Sequence, residues 1–347
     1  PNASIRILVA MSVLKEGFGC SDEDLFEKCE FDLLTRKALG MELLTDVTPS
    51  IDTYYLFRRR ICEYQERTGI DLMQLCFEQL AGKHVHLLKI SGKCVRMDSK
   101  LIGSNIARQS RYELIHTTLV KFLKTCTLTH LSPEQEERAK EYLKEDSSKT
   151  VYRSDSDTLQ SNLARIGNFI MEMLAVFPAT SPAHDLLLRL FDEQYVVMDG
   201  KAVLRDKKEV KADSLQNPND PDATYRAKND QKVQGYVTNI TDTVEEGKPN
   251  IITSVQVETA VFADCHFLQE AVENSERVTD STIEDLYADG AYQSPDNREF
   301  AKNHNAMQLK TGKMQGGCRW ELIPHDEDGL TIREIATGTT YAAVKAV

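Results

Sequence analysis

Two aspartates stand where a metal-dependent site would need them. Lys93-Cys94-Val95-Arg96-Met97-Asp98 reads as a short strand ending in a carboxylate, and Ile283–Ala288 reads as another that runs into Asp289-Gly290-Ala291-Tyr292. In α/β folds, ligands and metals collect at the carboxyl ends of strands. Were the two strands parallel neighbours, the acids would converge although far apart in the chain. Convergent carboxylates make an oxygen-rich site suited to Mg²⁺. Two such ions about 4 Å apart can clamp the attacking and leaving oxygens of phosphoryl transfer. Gly290 would let the backbone turn sharply past the metal. An aspartate at a strand end is more often a plain turn residue, so position alone does not decide.

Other chemistry is poorly provided for. His84-x-His86 would put two imidazoles on one strand face, but no third ligand is near, and two ordinary histidines are the simpler reading. The motifs G-x-S-x-G, the P-loop and G-x-G-x-x-G are absent. The eight cysteines include no C-x(2–4)-C pair, which argues against a zinc ribbon and favours buried free thiols. Candidate phosphate contacts are Arg58-Arg59-Arg60, Arg226, Lys228, Lys232 and the loop Lys310–Gly317; for each, a solvated face or plain turn competes.

These residues need elements to hold them. Residues 1–82 read as helical. Ile5, Leu8, Val9 and Val13 form a stripe, and Ser21-Asp22-Glu23-Asp24 starts a second helix. A third spans Phe31 to Leu39 before Gly40, and Thr48-Pro49-Ser50 opens a longer one stopped by Gly69. After the Asp98 strand, residues 106–191 are again helical, and 199–232 read as a long polar loop. Then the period changes to two. Val233–Ile240 and Ile251–Glu258 form a hairpin, followed by a helix over Asp264–Ser275, the Asp289 strand, a helix from Ser294-Pro295 to Asn303 and a strand at Met307–Leu309. The tail from Cys318 reads as β-structure. With the helical insertion removed, the order is β-β-β-α-β-α-β.

The 347 residues suffice for two domains. With 41% hydrophobic and 28% charged residues, global disorder is excluded. No apolar run approaches the roughly 20 residues of a membrane helix, and no signal peptide is visible. The net charge of −12 argues weakly against a nucleic-acid partner. Its distribution is uneven: Lys83–Lys124 carries nine basic and two acidic residues, whereas Asp264–Glu299 carries two basic and ten acidic. The chain opens Pro1-Asn2-Ala3 and ends without a stop signal, so both ends read as cuts.

Several stretches together resemble an insertion-sequence DDE transposase. Lys93–His116 resembles the segment around that family's first catalytic Asp. Asp220-Pro221-Asp222-Ala223-Thr224-Tyr225-Arg226-Ala227-Lys228 with Gly235-Tyr236 resembles the segment that opens its second strand. Tyr287-Ala288-Asp289-Gly290-Ala291-Tyr292 resembles the block of its second Asp, and the first sixty residues resemble its helical N-terminal domain. The resemblance implies an all-α N-terminal domain at 1–82. It implies an RNase H-like mixed-sheet catalytic domain at 83–347, incomplete C-terminally, with a helical insertion at about 104–198.

The activity it implies is DNA strand cleavage, then attack of the 3′-OH on target DNA. Asp98 and Asp289 would hold two Mg²⁺ or Mn²⁺ ions, and Tyr292 would support Asp289, touch DNA or simply pack. Double-stranded DNA, a homo-oligomer assembled on it, and a bacterial cytoplasmic, nucleoid-associated setting are implied too. The family's third acid, a helical Glu, has no match: Glu299 follows Asp289 too closely, and Glu321 and Glu334 lie in β-like stretches. The expectation is that it lay beyond Val347. Two other readings stay open, a truncated remnant that at most binds DNA and a metal-dependent nuclease of the same fold.

Overall fold

The computed structural model describes residues 3–177, 181–228, 231–311, 314–315, 318–324, 329–334 and 339–344. The chain divides into two compact units, Pro1–Leu80 and Ala81–Val347.

The first unit holds α1 (Ile5–Phe18), α2 (Asp22–Phe31), α3 (Leu33–Ala38), α4 (Ile51–Thr68) and the start of α5 (Leu72–Leu88). Its boundaries follow local chemistry. Ser21 and Asp24 form a reciprocal capping box, while Gly19 and Gly69 end α1 and α4 in the left-handed region. The expected third helix starts later, because α2 continues to Phe31 and Asp32 caps α3. Leu8, Met11, Leu25, Cys29 and Tyr54 form the core. Buried Arg36 donates to the carbonyls of Cys29, Leu43 and Asp46, pinning the irregular segment before α4. Helix α5 runs on to Leu88, so His84 and His86 are helical, not on a strand. Two residues along a helix is about 200° of rotation, so the pair does not share a face.

In the second unit, β1 (Cys94–Gly103) leads into an insertion of α6 (Arg111–Leu123), α7 (Pro133–Lys144), α8 (Ser147–Arg153), α9 (Ser156–Val176) and α10 (Pro182–Gln194). A hairpin, β2 (Tyr195–Met198) and β3 (Lys201–Leu204), closes it. The insertion core extends past the expected limit of 198 to Ala202 and Leu215. Gly167 lets α9 approach the Tyr195 ring, and the Tyr195 hydroxyl donates to the Leu163 carbonyl.

Residues 205–223, expected as part of a long loop, are tied down by side chains. Arg189 donates to the carbonyls of Pro221 and Asp213, Lys121 to that of Pro218, and Asp220 accepts from Ser104 and Tyr236. The loop therefore links the insertion to the strands. Its expected end is also too late, since β4 (Thr224–Lys228) begins within it.

The sheet follows: β5 (Gln231–Thr243), β6 (Ile252–Thr259), α11 (Leu268–Thr279), β7 (Asp285–Ala288), α12 (Pro295–Asn303) and β8 (Gln308–Thr311). Strand β1 is central. It pairs antiparallel with β5 on one side and parallel with β7 on the other, and β8 pairs parallel with β7. The first residues of β5 pair with β4 and the rest with β6, both antiparallel. Val95, Met97, Val237 and Leu286 on one face pack against Leu268, Ala271 and Val272 of α11 and Ala301 of α12. The opposite residues of β1, Arg96, Asp98, Lys100 and Ile102, are exposed. A separate sheet orders β9 (Met314–Gln315), β10 (Cys318–Pro324), β11 (Gly329–Glu334) and β12 (Thr340–Val344) as β12-β11-β10-β9.

Gly235 sits where β1, β4 and β5 meet. A Cβ there would lie 2.3 Å from the Ile102 carbonyl oxygen and 2.5 Å from the Ser104 nitrogen. Backbone cannot step aside cheaply, so Gly235→Ala should destabilise by about 3 kcal/mol, read as a lower urea midpoint.

His116 is buried in the insertion, where its Nε2 donates to the Tyr142 carbonyl at 3.0 Å. Burial pulls its pKa below the ordinary 6.5, with Glu145 pulling the other way. The unfolded chain thus binds the proton first, so stability falls as pH drops below about 6.5. It stops falling once the folded histidine protonates. His116→Gln should flatten that slope in urea titrations run between about pH 7 and 5.

Candidate active site

The site is built by the parallel pairing of β1 with β7. Cys94, Val95 and Arg96 lie opposite Asp285, Leu286 and Tyr287. Continued for two residues, that register sets Asp98 level with Asp289, just past the carboxyl end of β7. Apolar side chains drive the pairing, since Val95 and Leu286 are both fully buried beneath α11. The alternation of β1 then puts Arg96 and Asp98 on the open face. Strand β1 thus has β5 antiparallel on one side and β7 parallel on the other.

Both carboxylates are exposed, and neither has an ion-pair partner among the described residues. Each is oriented by backbone. Asp98 Oδ1 accepts from the Ser99 N–H at 2.9 Å, and Asp289 Oδ1 accepts from the Ala291 N–H at 2.8 Å as cap of the 3-10 turn Gly290–Tyr292. Among the described residues, the second oxygen of each carboxylate has no hydrogen-bond partner. This donor set fits Mg²⁺ or Mn²⁺, which take one or two carboxylates and leave other positions to water and substrate phosphate. Among the described residues, no group of three or more His, Cys, Asp or Glu side chains is arranged to hold a metal ion. Glu299 is exposed on α12, and Glu321 and Glu334 lie on β10 and β11 of the separate sheet.

Tyr292 is fully buried, so it packs and does not reach outward. Its hydroxyl donates to Asn239 Oδ1 at 2.6 Å. Burial raises its pKa, and Asp264, Asp98 and Asp289 add to the rise. It therefore stays a neutral donor.

The basic candidates divide. Arg226 is turned inward: its Nη1 donates to the Ala260 and Phe262 carbonyls and to Asp264 Oδ1 at 3.1 Å. It ties β4 to the segment before α11 and is a structural clamp, not the phosphate contact expected of it. Arg58 lies 3.9 Å from Asp22 and over the Tyr54 ring, and Arg59 lies 3.3 Å from Glu63. Arg60 is exposed on the same helix. Consecutive residues fan round a helix by about 100° each, so the three do not form one stripe. Lys228 lies opposite Gln231 where β4 and β5 pair, and Lys232 is exposed nearby. Lys310 belongs to β8 and bridges to Asp285 at 2.8 Å. Of the rest of that expected loop, 312–313 and 316–317 lie outside the described residues. Lys100 was not singled out by sequence, yet it is exposed on the face that carries Asp98. The signal was its even spacing from Asp98 on an alternating strand.

Among the described residues, no helix is long and apolar enough to cross a membrane. No protein-family model matches the chain, and comparison with curated proteins and with solved structures finds no match.

Asp264 is 3% exposed, so Arg226 is a charged partner to a buried carboxylate. Arg226→Ala should cost about 2 kcal/mol of stability in denaturant titrations. The same variant should leave DNA affinity in a gel-shift assay within twofold.

Proposed function

We propose that this chain is a DDE-type polynucleotidyl transferase with an RNase H-like catalytic fold. It would cleave DNA strands and transfer the 3′ end to target DNA. The observation that carries the reading is the parallel β1–β7 register, which, continued two residues beyond its last pair Arg96–Tyr287, would set Asp98 level with Asp289. The element order is compatible with it: with β4 and the insertion set aside, β1, β5, β6, α11, β7, α12 and β8 follow the order β-β-β-α-β-α-β read from the sequence.

In this reading Asp98 and Asp289 hold two Mg²⁺ or Mn²⁺ ions. Bound there, the ions would polarise the scissile phosphate and activate water or a 3′-OH as nucleophile. The protein's part is orientation. The Ser99 and Ala291 N–H groups each fix one oxygen of a carboxylate and leave the other for the ion. Lys100 supplies positive charge on the same face, suited to a DNA phosphate. Arg58, Arg59, Arg60 and Lys228 are further candidate DNA contacts. Double-stranded DNA is the proposed substrate, and a homo-oligomer the proposed assembly on it, in a bacterial cytoplasm.

A nicking assay with Mn²⁺ on supercoiled DNA tests this. Wild-type protein should convert the plasmid, and Asp98→Asn or Asp289→Asn should slow conversion at least 100-fold, a loss of about 3 kcal/mol of transition-state stabilisation. Cleavage unchanged in both variants would contradict the reading. Retained DNA binding with no cleavage by wild type would leave the non-catalytic remnant. Cleavage without any joining of 3′ ends to target DNA would leave the nuclease.

A further inference from the structure

Directly beneath the carboxylate pair, on the covered face of the sheet, lies a row of polar side chains that an apolar core does not need. The strand registers set Ser99 of β1 opposite Asn239 of β5, and Asn239 opposite Gln256 of β6. Asn239 is fully buried and Gln256 nearly so. Their hydrogen bonds run in one direction. The Tyr292 hydroxyl donates to Asn239 Oδ1 at 2.6 Å, Asn239 Nδ2 donates to Gln256 Oε1 at 2.9 Å, and Gln256 Nε2 donates to Glu270 Oε2 of α11 at 3.1 Å. A buried chain of this kind costs stability unless every member is satisfied, and here the amides and the phenol all find partners.

Both ends of the carboxylate pair converge on Tyr292. Asp289 caps the 3-10 turn that Tyr292 closes, and the Tyr292 N–H donates to the Asp289 carbonyl at 3.3 Å. On the other strand, Ser99 holds Asp98 Oδ1 through its N–H, and Asn239, its partner across the β1–β5 ladder, accepts from the Tyr292 hydroxyl. Asn297 Nδ2 donates to the Tyr292 carbonyl at 2.8 Å, which fixes the turn from α12 as well. The β1–β7 ladder stops at Tyr287 and β7 itself at Ala288, so Asp289 is held in place by the turn and not by the ladder.

We propose that Tyr292 is a positioning residue for the Asp98–Asp289 pair. Its hydroxyl, anchored on the Asn239–Gln256–Glu270 chain, holds the turn that carries Asp289 against β5, the antiparallel ladder partner of the strand that carries Asp98. This rests on the metal-binding reading of that pair. Tyr292 touches neither ion nor substrate; it sets the separation that a bridging divalent cation experiences.

Mn²⁺ titration of the full chain, followed by calorimetry or by the loss of free-Mn²⁺ paramagnetic signal, tests it without relying on turnover. Tyr292→Phe keeps the ring and removes the hydroxyl, and should weaken Mn²⁺ binding threefold or more. Asn239→Leu should do the same, and the double variant should lose no more than the worse single one, because both break the same Tyr292–Asn239 hydrogen bond. Gly167→Ala, a destabilising change in the insertion core, should leave Mn²⁺ affinity unchanged and so separates positioning from general loss of stability. Should Tyr292→Phe fail to fold, Asn239→Leu is read against the same threshold. A change below threefold, or losses that add in the double variant, would overturn the proposal. If wild type binds no Mn²⁺, or Asp98→Asn and Asp289→Asn bind it as wild type does, the metal-binding reading itself fails.

Discussion

The second unit depends on one contact, the parallel pairing of β1 with β7. Three residue pairs carry it, and the burial of Val95 and Leu286 under α11 drives it. A parallel pair cannot be made by a tight turn and needs a long crossover. Here the chain between the two strands contains the whole insertion, β5, β6 and α11. A slip of one residue would turn Asp98 into the apolar layer and Val95 out to water, so burial itself protects the register of β1.

The insertion follows from this arrangement. It leaves the sheet after Gly103 and returns at Thr224, and its own core, built on Ile115, Ile166, Phe169 and Leu187, needs nothing from the sheet face. Its link to the strands is polar. Asp220 joins Ser104 at the end of β1 to Tyr236 on β5, while Arg189 and Lys121 clamp the neighbouring backbone carbonyls. The strand ends are thereby held from the side that carries no ladder, and the close approach at Gly235 completes the junction.

Much of this was legible in the sequence where the signal is local. The hairpin of β5 and β6 shows in its alternation, the capped helices show in Ser21, Ser50 and Ser294, and Asp289 shows because it follows a β-run; Asp98, expected at a strand's end, lies inside β1, which runs on to Gly103. What was missed depends on distant partners. The segment 205–223 reads as loop because the side chains that tie it come from α6 and α10. Arg226 reads as a free cation because Asp264, its partner, lies 38 residues on. The histidines of α5 read as a strand because His-Val-His alternates, and alternation over so few residues does not tell strand from helix. The Tyr292 chain was invisible for the same reason: only the registers of β1, β5 and β6 bring Ser99, Asn239 and Gln256 into one row.

The central claim is that parallel pairing creates a divalent-cation site between two carboxylates that sequence keeps far apart. A crystal of the full chain soaked in Mn²⁺ tests it most directly, because anomalous scattering locates the ion without any assay of activity. The account predicts an anomalous peak between Asp98 and Asp289, about 2.0–2.3 Å from a carboxylate oxygen of each. Carboxylates more than about 10 Å apart, beyond the span of one ion, or a peak bound elsewhere with this pair empty, would contradict it.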